Sequence, residues 1–251
     1  MALCLRAVFA EGQSPPTLLA PLPTVEINLP AYRLEVVMPG EPTRRYPVAI
    51  GMRKYKTPTG TYELTEVVWN PWWTPPQSEW AAKDTVTPPG PTNPMGRVKL
   101  QFGDLLYVHG TPFPTSVGHA ASHGCLRMRN ADAIELAILV QRLMGLPLDS
   151  ASVDTLTVQA RETRRVSLPS GMRVDVVYRI VEVRDSTLTL YPDVYRRRVG
   201  QVVNDVLAAL ASAGIDTSGV DPRRVRQLAS RAVRRPVSAP VGALLTSATT
   251  R

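Results

Sequence analysis

Apolar and polar residues alternate in VEINLPAYRLEVVM, which begins at residue 25, with a break near Pro30. That is a strand signal at period two. MPGEP reads as a turn, RRYPVAIGM as a second strand, and KYKTPTGTYEL as a Pro-Gly turn into a third. The opening therefore predicts a β-meander. RVKLQFGDLLYVHGT predicts two more strands, the second delivering His109 at its C-terminal end. ADAIELAILVQRLMG is the one clear helix before residue 150. Leu136, Leu139, Val140 and Leu143 make its apolar face, Gly145 ends it, and Asn130 or Asp132 is expected to cap its start. Further on, SLPSGMRVDVVYRIVEVRDSTLTLYPDVY predicts two or three strands with turns at Pro-Ser-Gly and Arg-Asp-Ser. Residues 199–214 and 221–235 predict helices, the second with Asp221 as N-cap and Pro222 at the first helical position. The tail from Pro236 is rich in small residues and is expected to be disordered.

One stretch fits neither period. Residues 67–96 hold seven prolines and four tryptophans. That is too long and too proline-rich for a plain connection, and long ordered loops in compact domains tend to be lids or binding loops. The alternative is an irregular segment whose tryptophans only pack on the sheet.

The candidate chemistry lies between His109 and Asn130, HGTPFPTSVGHAASHGCLRMRN, which contains all three histidines and one of the two cysteines. A lone cysteine is usually a small buried hydrophobe. Cys125, however, follows His123 and Gly124, with His109 sixteen residues back. An imidazole can take a thiol proton and hold the resulting ion pair, so Cys and His together are the minimum set for a thiolate nucleophile. Flanking glycine lets backbone N–H groups converge on one oxygen. Arg127, two residues on, could clamp a substrate carboxylate or form a structural ion pair. The rival chemistry is zinc held by His109, His119, His123 and Cys125.

The motifs carry a resemblance. HGT followed by SHGCLRMRNADAIEL resembles the signature of the L,D-transpeptidase catalytic (YkuD) family, and IGMRKYKTPTGTYEL, PWWTPP and PPGPTNPMG resemble further segments of its ErfK/YbiS/YcfS/YnhG-like subgroup. The resemblance covers residues 25–148 in the family's order. It implies a mostly β fold: a sandwich or barrel-like catalytic domain with a helix beside the site, followed by a small α/β C-terminal extension. It implies Cys125 as nucleophile and His109 as general base, its tautomer fixed by the Gly110 carbonyl. His123 is expected to stabilise the thiolate or the stem peptide, and the N–H groups of Gly124 and Cys125 the oxyanion. Arg127, Ser122, Trp72, Trp73 and Tyr107 are expected to bind substrate, Ser122 with a local hydrogen bond. His119 is expected to be an exposed loop residue. The implied reaction is acyl transfer from a peptidoglycan tetrapeptide stem to an amine, for wall crosslinking or attachment of a wall-anchored lipoprotein. Water as acceptor would make the protein an L,D-carboxypeptidase. No metal or cofactor is implied. A wall- or polyanion-binding module without catalysis is the alternative of a different class.

Charge separates the two halves. Residues 161–251 hold 16 Lys and Arg against 8 Asp and Glu, which accounts for the whole net charge of +8. Such a region suits anionic envelope polymers or is simply a solvated basic surface, and nucleic acid is not the expected partner. Residues 1–24 read as a truncated signal remnant, MALCLRAVFA, and a Pro-rich linker, which points to the periplasm or another extracytoplasmic place. No stretch of ~20 apolar residues suggests a membrane span. No structural disulfide between Cys4 and Cys125 is expected. The domain reading is 25–148 catalytic and 149–251 extension, the latter with strands, then basic helices, then the tail.

Overall fold

A computed structural model describes residues 21–158 and 161–246, so the leader, most of the linker and the last five residues lie outside the described residues. β1 (Thr24–Asn28), β2 (Arg33–Val37) and β3 (Arg44–Pro47) form the expected meander. Its alternation buries Val25, Ile27, Leu34, Val36 and Tyr46 on one face. The break at Pro30 is a tight turn in which Tyr32 takes φ 49°. β4 (Ile50–Gly51) is not a continuation of β3 in the same sheet, as RRYPVAIGM suggested. Val48 and Ala49 carry the chain across to another edge.

β5 (Gly60–Trp69), β6 (Val98–Gly103) and β7 (Leu106–Thr111) run antiparallel to one another, and β8 (Ala120–Ser122) pairs parallel with β4. β9 (Leu126–Arg129) then pairs parallel with β7 and leads directly into α1 (Asn130–Leu143). Ala49 and Arg127 exchange two backbone hydrogen bonds, 2.8 and 3.0 Å, and so join the β3 end of the sheet to its β9 edge. The sheet thus curls into a nearly closed barrel-like wall. α1 covers it with Leu136, Leu139 and Val140 buried. Asn130 does not cap this helix. Arg129 is the N-cap residue and makes no side-chain cap, while Asn130 Oδ1 accepts from Arg97 N at 3.0 Å. Gly96 and Gly110 are needed there, because a Cβ on either would lie 2.2 Å from that same Oδ1.

The sequence after α1 holds two differences from expectation. α2 (Ser150–Val158) has a weak amphipathic pattern, and the sequence predicts no element there. β10 (Arg164–Val177) is one long strand in the middle of the sheet, parallel to β1 and antiparallel to β5. The full order is β3-β2-β1-β10-β5-β6-β7-β9. The sheet therefore continues to Val177, past residue 148, since without β10 the facing edges of β1 and β5 would be unpaired. Pro-Ser-Gly in this strand is a bulge, not a turn: the register against β5 shifts between Ser167 and Met172, and Gly171 takes φ 64°.

β11 (Val181–Arg184) and β12 (Thr187–Leu190) form the expected hairpin, turning at Asp185 and Ser186 with φ 47° and 59°. α3 (Val202–Ser212) and α4 (Pro222–Arg231) follow, and Asp221 caps α4 by accepting from Arg223 N at 2.8 Å. The tail is ordered as far as it is described. β13 (Val237–Pro240) adds to β12, and Val241 and Leu244 enter a second core with Leu188, Leu190, Val206, Leu210 and Val225. Small residues did not signal this, because the strand's partner lies some fifty residues away.

An ionic cluster joins the extension to the sheet. Arg33 meets Glu182 at 2.7 Å, while Arg45 and Arg184 meet Glu35 at 2.6 and 2.8 Å. Burial alone would raise the Glu35 pKa, but hydrogen bonds from Arg184 and Arg45 and the charge of Arg33 outweigh it and hold it down at about 2.

Candidate active site

The register of three strands builds the site. β6 and β7 pair Lys99 with His109, and β7 and β9 pair His109 with Arg127. Cross-strand partners share a face, and residues two apart along a strand share it too. Lys99, His109, Tyr107 and Arg127 therefore line one face, and Cys125, just ahead of β9, stands at its end. His109 is 5% exposed, and its Nδ1 lies 2.6 Å from the Gly110 carbonyl oxygen. A carbonyl can only accept, so Nδ1 carries the proton and Nε2 is left with a lone pair. Burial depresses the His109 pKa to about 4, with the positive charges of Arg127 and Lys99 adding to the effect against the Gly110 bond. The imidazole is neutral at pH 7.

Cys125 is a free, partly exposed cysteine whose Sγ donates to the Leu105 carbonyl at 3.3 Å. Burial raises its pKa, while a backbone hydrogen bond from Tyr107 and the charges of Arg127 and Lys99 act in the opposite direction. Burial therefore acts on both groups in the same sense, toward thiol and neutral imidazole and against an ion pair. The physical reason is desolvation, which penalises both charged forms.

The turn that holds Cys125 is tightly bonded. Ser122, 2% exposed, donates through Oγ to the Cys125 carbonyl at 2.5 Å and accepts from Gly124 N at 3.1 Å. Gly124 has φ 120°, a conformation that favours glycine. Ser122 therefore braces the turn instead of facing a substrate, and the Gly124 N–H already has an acceptor. The Gly124 carbonyl accepts from Thr57 Oγ1 at 2.8 Å. Thr57, wholly buried, lies in the TPTG segment whose pattern was visible but whose contact was not.

His123 is placed differently from His109. Its ring stacks on Trp80, with centroids 3.9 Å apart and planes 6° apart, and meets Tyr55 at 4.7 Å. Burial and the Arg127 charge lower its pKa. The 67–96 loop therefore reaches the site through Trp80, not through the expected Trp72 and Trp73. Trp72 is 53% exposed, and Trp73 is fixed by main-chain bonds of 2.9 Å to Thr87. Wholly buried Asn93 staples the loop by donating to the carbonyls of Pro71 and Pro88 at 2.9 Å each. Tyr107 is beside the site as expected, with Lys99 Nζ 4.6 Å from its ring centroid. Lys99 itself was missed: a lysine inside an alternating strand gives no signal until the register is known. Its pKa is lowered by burial. Among the described residues neither Lys99 nor Arg127 has an ion-pair partner, and nearby Glu66 is held by Arg165 at 2.9 Å. His119 is exposed. No group of three or more His, Cys, Asp or Glu among the described residues could hold a metal ion.

A carbonyl-oriented imidazole on one strand and a cysteine heading the next define a cysteine–histidine site at the open edge of a curled β-sheet. The chain belongs to the L,D-transpeptidase catalytic domain (YkuD) family, whose sequence model matches residues 23–176. That match also reaches through β10, beyond the expected boundary. YkuD of Bacillus subtilis (strain 168) is 30% identical over 117 residues, covering 46% of this chain and 59% of that protein. YbiS of Escherichia coli (strain K12) is 37% identical over 94 residues, covering 34% of this chain and 31% of that one. The chain thus spans less than two thirds of either relative. An L,D-transpeptidase structure from Mycobacterium smegmatis aligns with TM-score 0.40 at 18% identity, over 62% of this chain and 58% of that one.

Proposed function

We propose that the protein is a peptidoglycan L,D-transpeptidase. The observation that supports this most is the neutral His109, buried and held by the Gly110 carbonyl with Nε2 unprotonated, in the strand beside Cys125. A thiol with a raised pKa is a strong nucleophile once deprotonated and needs a base at the moment of attack. Cys125 Sγ attacks the carbonyl carbon that links the third stem residue to the terminal D-alanine, and its proton passes to His109 Nε2. The tetrahedral oxyanion is met by the Cys125 N–H, since the Gly124 N–H is bonded to Ser122. Collapse breaks the C–N bond, and D-alanine leaves with the proton from His109. The thioester then takes an amine from a second stem or from a wall-anchored lipoprotein, His109 removes the amine's proton, and the Cys125 thiol is regenerated.

Arg127 and Lys99, two half-buried cations without an ion-pair partner among the described residues, suit a substrate rich in carboxylates. The exposed Arg223, Arg226, Arg231, Arg234 and Arg235 suit association with anionic envelope polymers. The substrate places the protein outside the cytoplasm. Incubation with tetrapeptide muropeptides, read by mass spectrometry, is expected to give loss of D-alanine together with crosslinked dimer. Loss of D-alanine with addition of water alone would make the protein a carboxypeptidase, and unchanged tetrapeptide would refute the proposal.

A further inference from the structure

The expected extension begins where the family's motifs end, yet one of its side chains reaches the nucleophile turn from behind. Tyr195 is 4% exposed. Its Oη donates to the Gly51 carbonyl at 2.7 Å and accepts from Thr57 N at 3.2 Å. Thr57 Oγ1 in turn accepts from Gly51 N at 2.9 Å and donates to the Gly124 carbonyl at 2.8 Å. These four bonds form a continuous buried path from Tyr195 through Gly51 and Thr57 to the residue before Cys125. The path has little slack. A Cβ on Gly51 would lie 2.1 Å from the Tyr55 carbonyl, so the 51–57 turn is already at closest approach.

Tyr195 is itself held on several sides. Its N–H donates to Tyr178 Oη at 2.7 Å, and Tyr178 Oη donates to Asp193 Oδ1 at 2.6 Å. The two rings stack with centroids 5.6 Å apart, and the Arg197 guanidinium lies 5.1 and 5.4 Å from them. Asp193 also accepts from the N–H groups of Arg197 and Arg198, at 2.9 and 2.8 Å. Arg197 reaches back to Thr59 in the same TPTG segment at 3.3 Å. A tyrosine used only to fill space would not need its hydroxyl aimed at two backbone groups of the turn beneath the nucleophile.

We infer that Tyr195 is a positioning residue: through Thr57 its hydroxyl fixes the Gly124 carbonyl, and so the direction of the Cys125 thiol. The inference rests on the proposed role of Cys125 as nucleophile. The consequence is that the segment after β12 is part of the active unit, because the catalytic sheet without it would leave the Gly51 carbonyl and the Thr57 N–H buried without partners.

The test is Tyr195→Phe in the full chain, which keeps the ring and removes only the hydroxyl. Three readouts are taken: the pH profile of Cys125 alkylation by iodoacetamide, kcat and KM with a tetrapeptide stem, and Tm. The expected result is a fall in kcat of about 10-fold with KM little changed, as for a misplaced reacting group, and a changed alkylation profile. Leu228→Ala, in the second core, serves as the stability control and is expected to lower Tm while leaving kcat and alkylation as in the wild type. Equal losses in Leu228→Ala, or a wild-type profile and kcat in Tyr195→Phe, would overturn the inference. If Tyr195→Phe does not fold, Thr57→Ser and Thr57→Val decide: retention by Ser and loss by Val supports the path, and equal behaviour overturns it. The alkylation profile needs no substrate. A wild type that transfers nothing therefore refutes the proposed function without deciding the role of Tyr195.

Discussion

His109 and His123 stand fourteen residues apart in one motif, yet the fold gives them opposite surroundings. His109 is inside the sheet, with one nitrogen committed to a carbonyl and the other left as a lone pair. His123 lies at the rim, its ring stacked on Trp80 and tilted against Tyr55. The first arrangement fixes a tautomer and excludes water, which suits a base. The second offers ring faces, which suits a surface that holds a loop or a ligand in place. A histidine's role follows from what its two nitrogens are bonded to, not from its distance in sequence to a nucleophile.

The largest effects are expected at the reacting groups themselves. Cys125→Ala is expected to abolish release of D-alanine while leaving Tm nearly unchanged, since one small side chain replaces another. Release that persists in this variant would show that the nucleophile lies elsewhere. His109→Ala is expected to cut kcat by roughly 10²–10⁴-fold, the usual range for a general base. His123→Ala is expected to cost far less. Similar losses in the two histidine variants, measured under the same conditions, would erase the distinction between base and platform.

Smaller effects are expected at the rim. If Trp80 closes the site over the acyl-enzyme, Trp80→Ala should move products from transfer toward hydrolysis. A stacked aromatic pair contributes about 0.5–1.5 kcal/mol, which corresponds to a change of about 2- to 10-fold in the product ratio. Trp72→Ala should leave the ratio alone, because that side chain points largely to solvent. An effect of Trp72→Ala equal to that of Trp80→Ala would return the lid role to the tryptophans first expected from the sequence.

Much of this site was legible in one dimension because its residues are consecutive or nearly so. His109 ends a clear alternating strand, and Cys125 sits beside a glycine and a histidine. The opening strands, α1 and the capped α4 follow directly from period and end signals. What was not legible depends on partners distant in sequence. Trp69, Trp72, Trp73 and Trp80 look alike as letters, and only the folded loop shows that Trp80 is the one stacked on His123. Lys99 joins His109 and Arg127 through strand register. β10 is central because β1 and β5 both need it, although more than a hundred residues separate it from β1. Tyr195 meets Thr57 from the opposite end of the chain. Desolvation of the thiol and the imidazole also appears only once both are packed, and it acts against the charged form of each.

A further effect is expected on stability, away from the site, at the ionic cluster beneath the extension. In the folded state the Glu35 pKa is held at about 2, below the 4.5 of an unperturbed glutamate. The stabilisation this brings is complete above the unfolded value and is lost as pH falls from about 4.5 toward 2. The shift from 4.5 to about 2 corresponds to about 3 kcal/mol. Denaturant titrations between pH 5 and pH 2 should show that slope in the wild type and lose most of it in Glu35→Gln. An unchanged slope in the variant would assign the acid sensitivity to other carboxylates.

Nitrogen NMR of the imidazoles in labelled protein reads directly whether His109 is a neutral base with its proton on Nδ1. The account predicts a neutral His109 with Nδ1 protonated at pH 7, gaining its second proton only as pH falls to about 4. The same state should appear in Cys125→Ala, because burial and the Gly110 carbonyl, not a thiolate, set it. An imidazolium at pH 7 in the wild type, or a proton on Nε2 instead of Nδ1, would contradict the account.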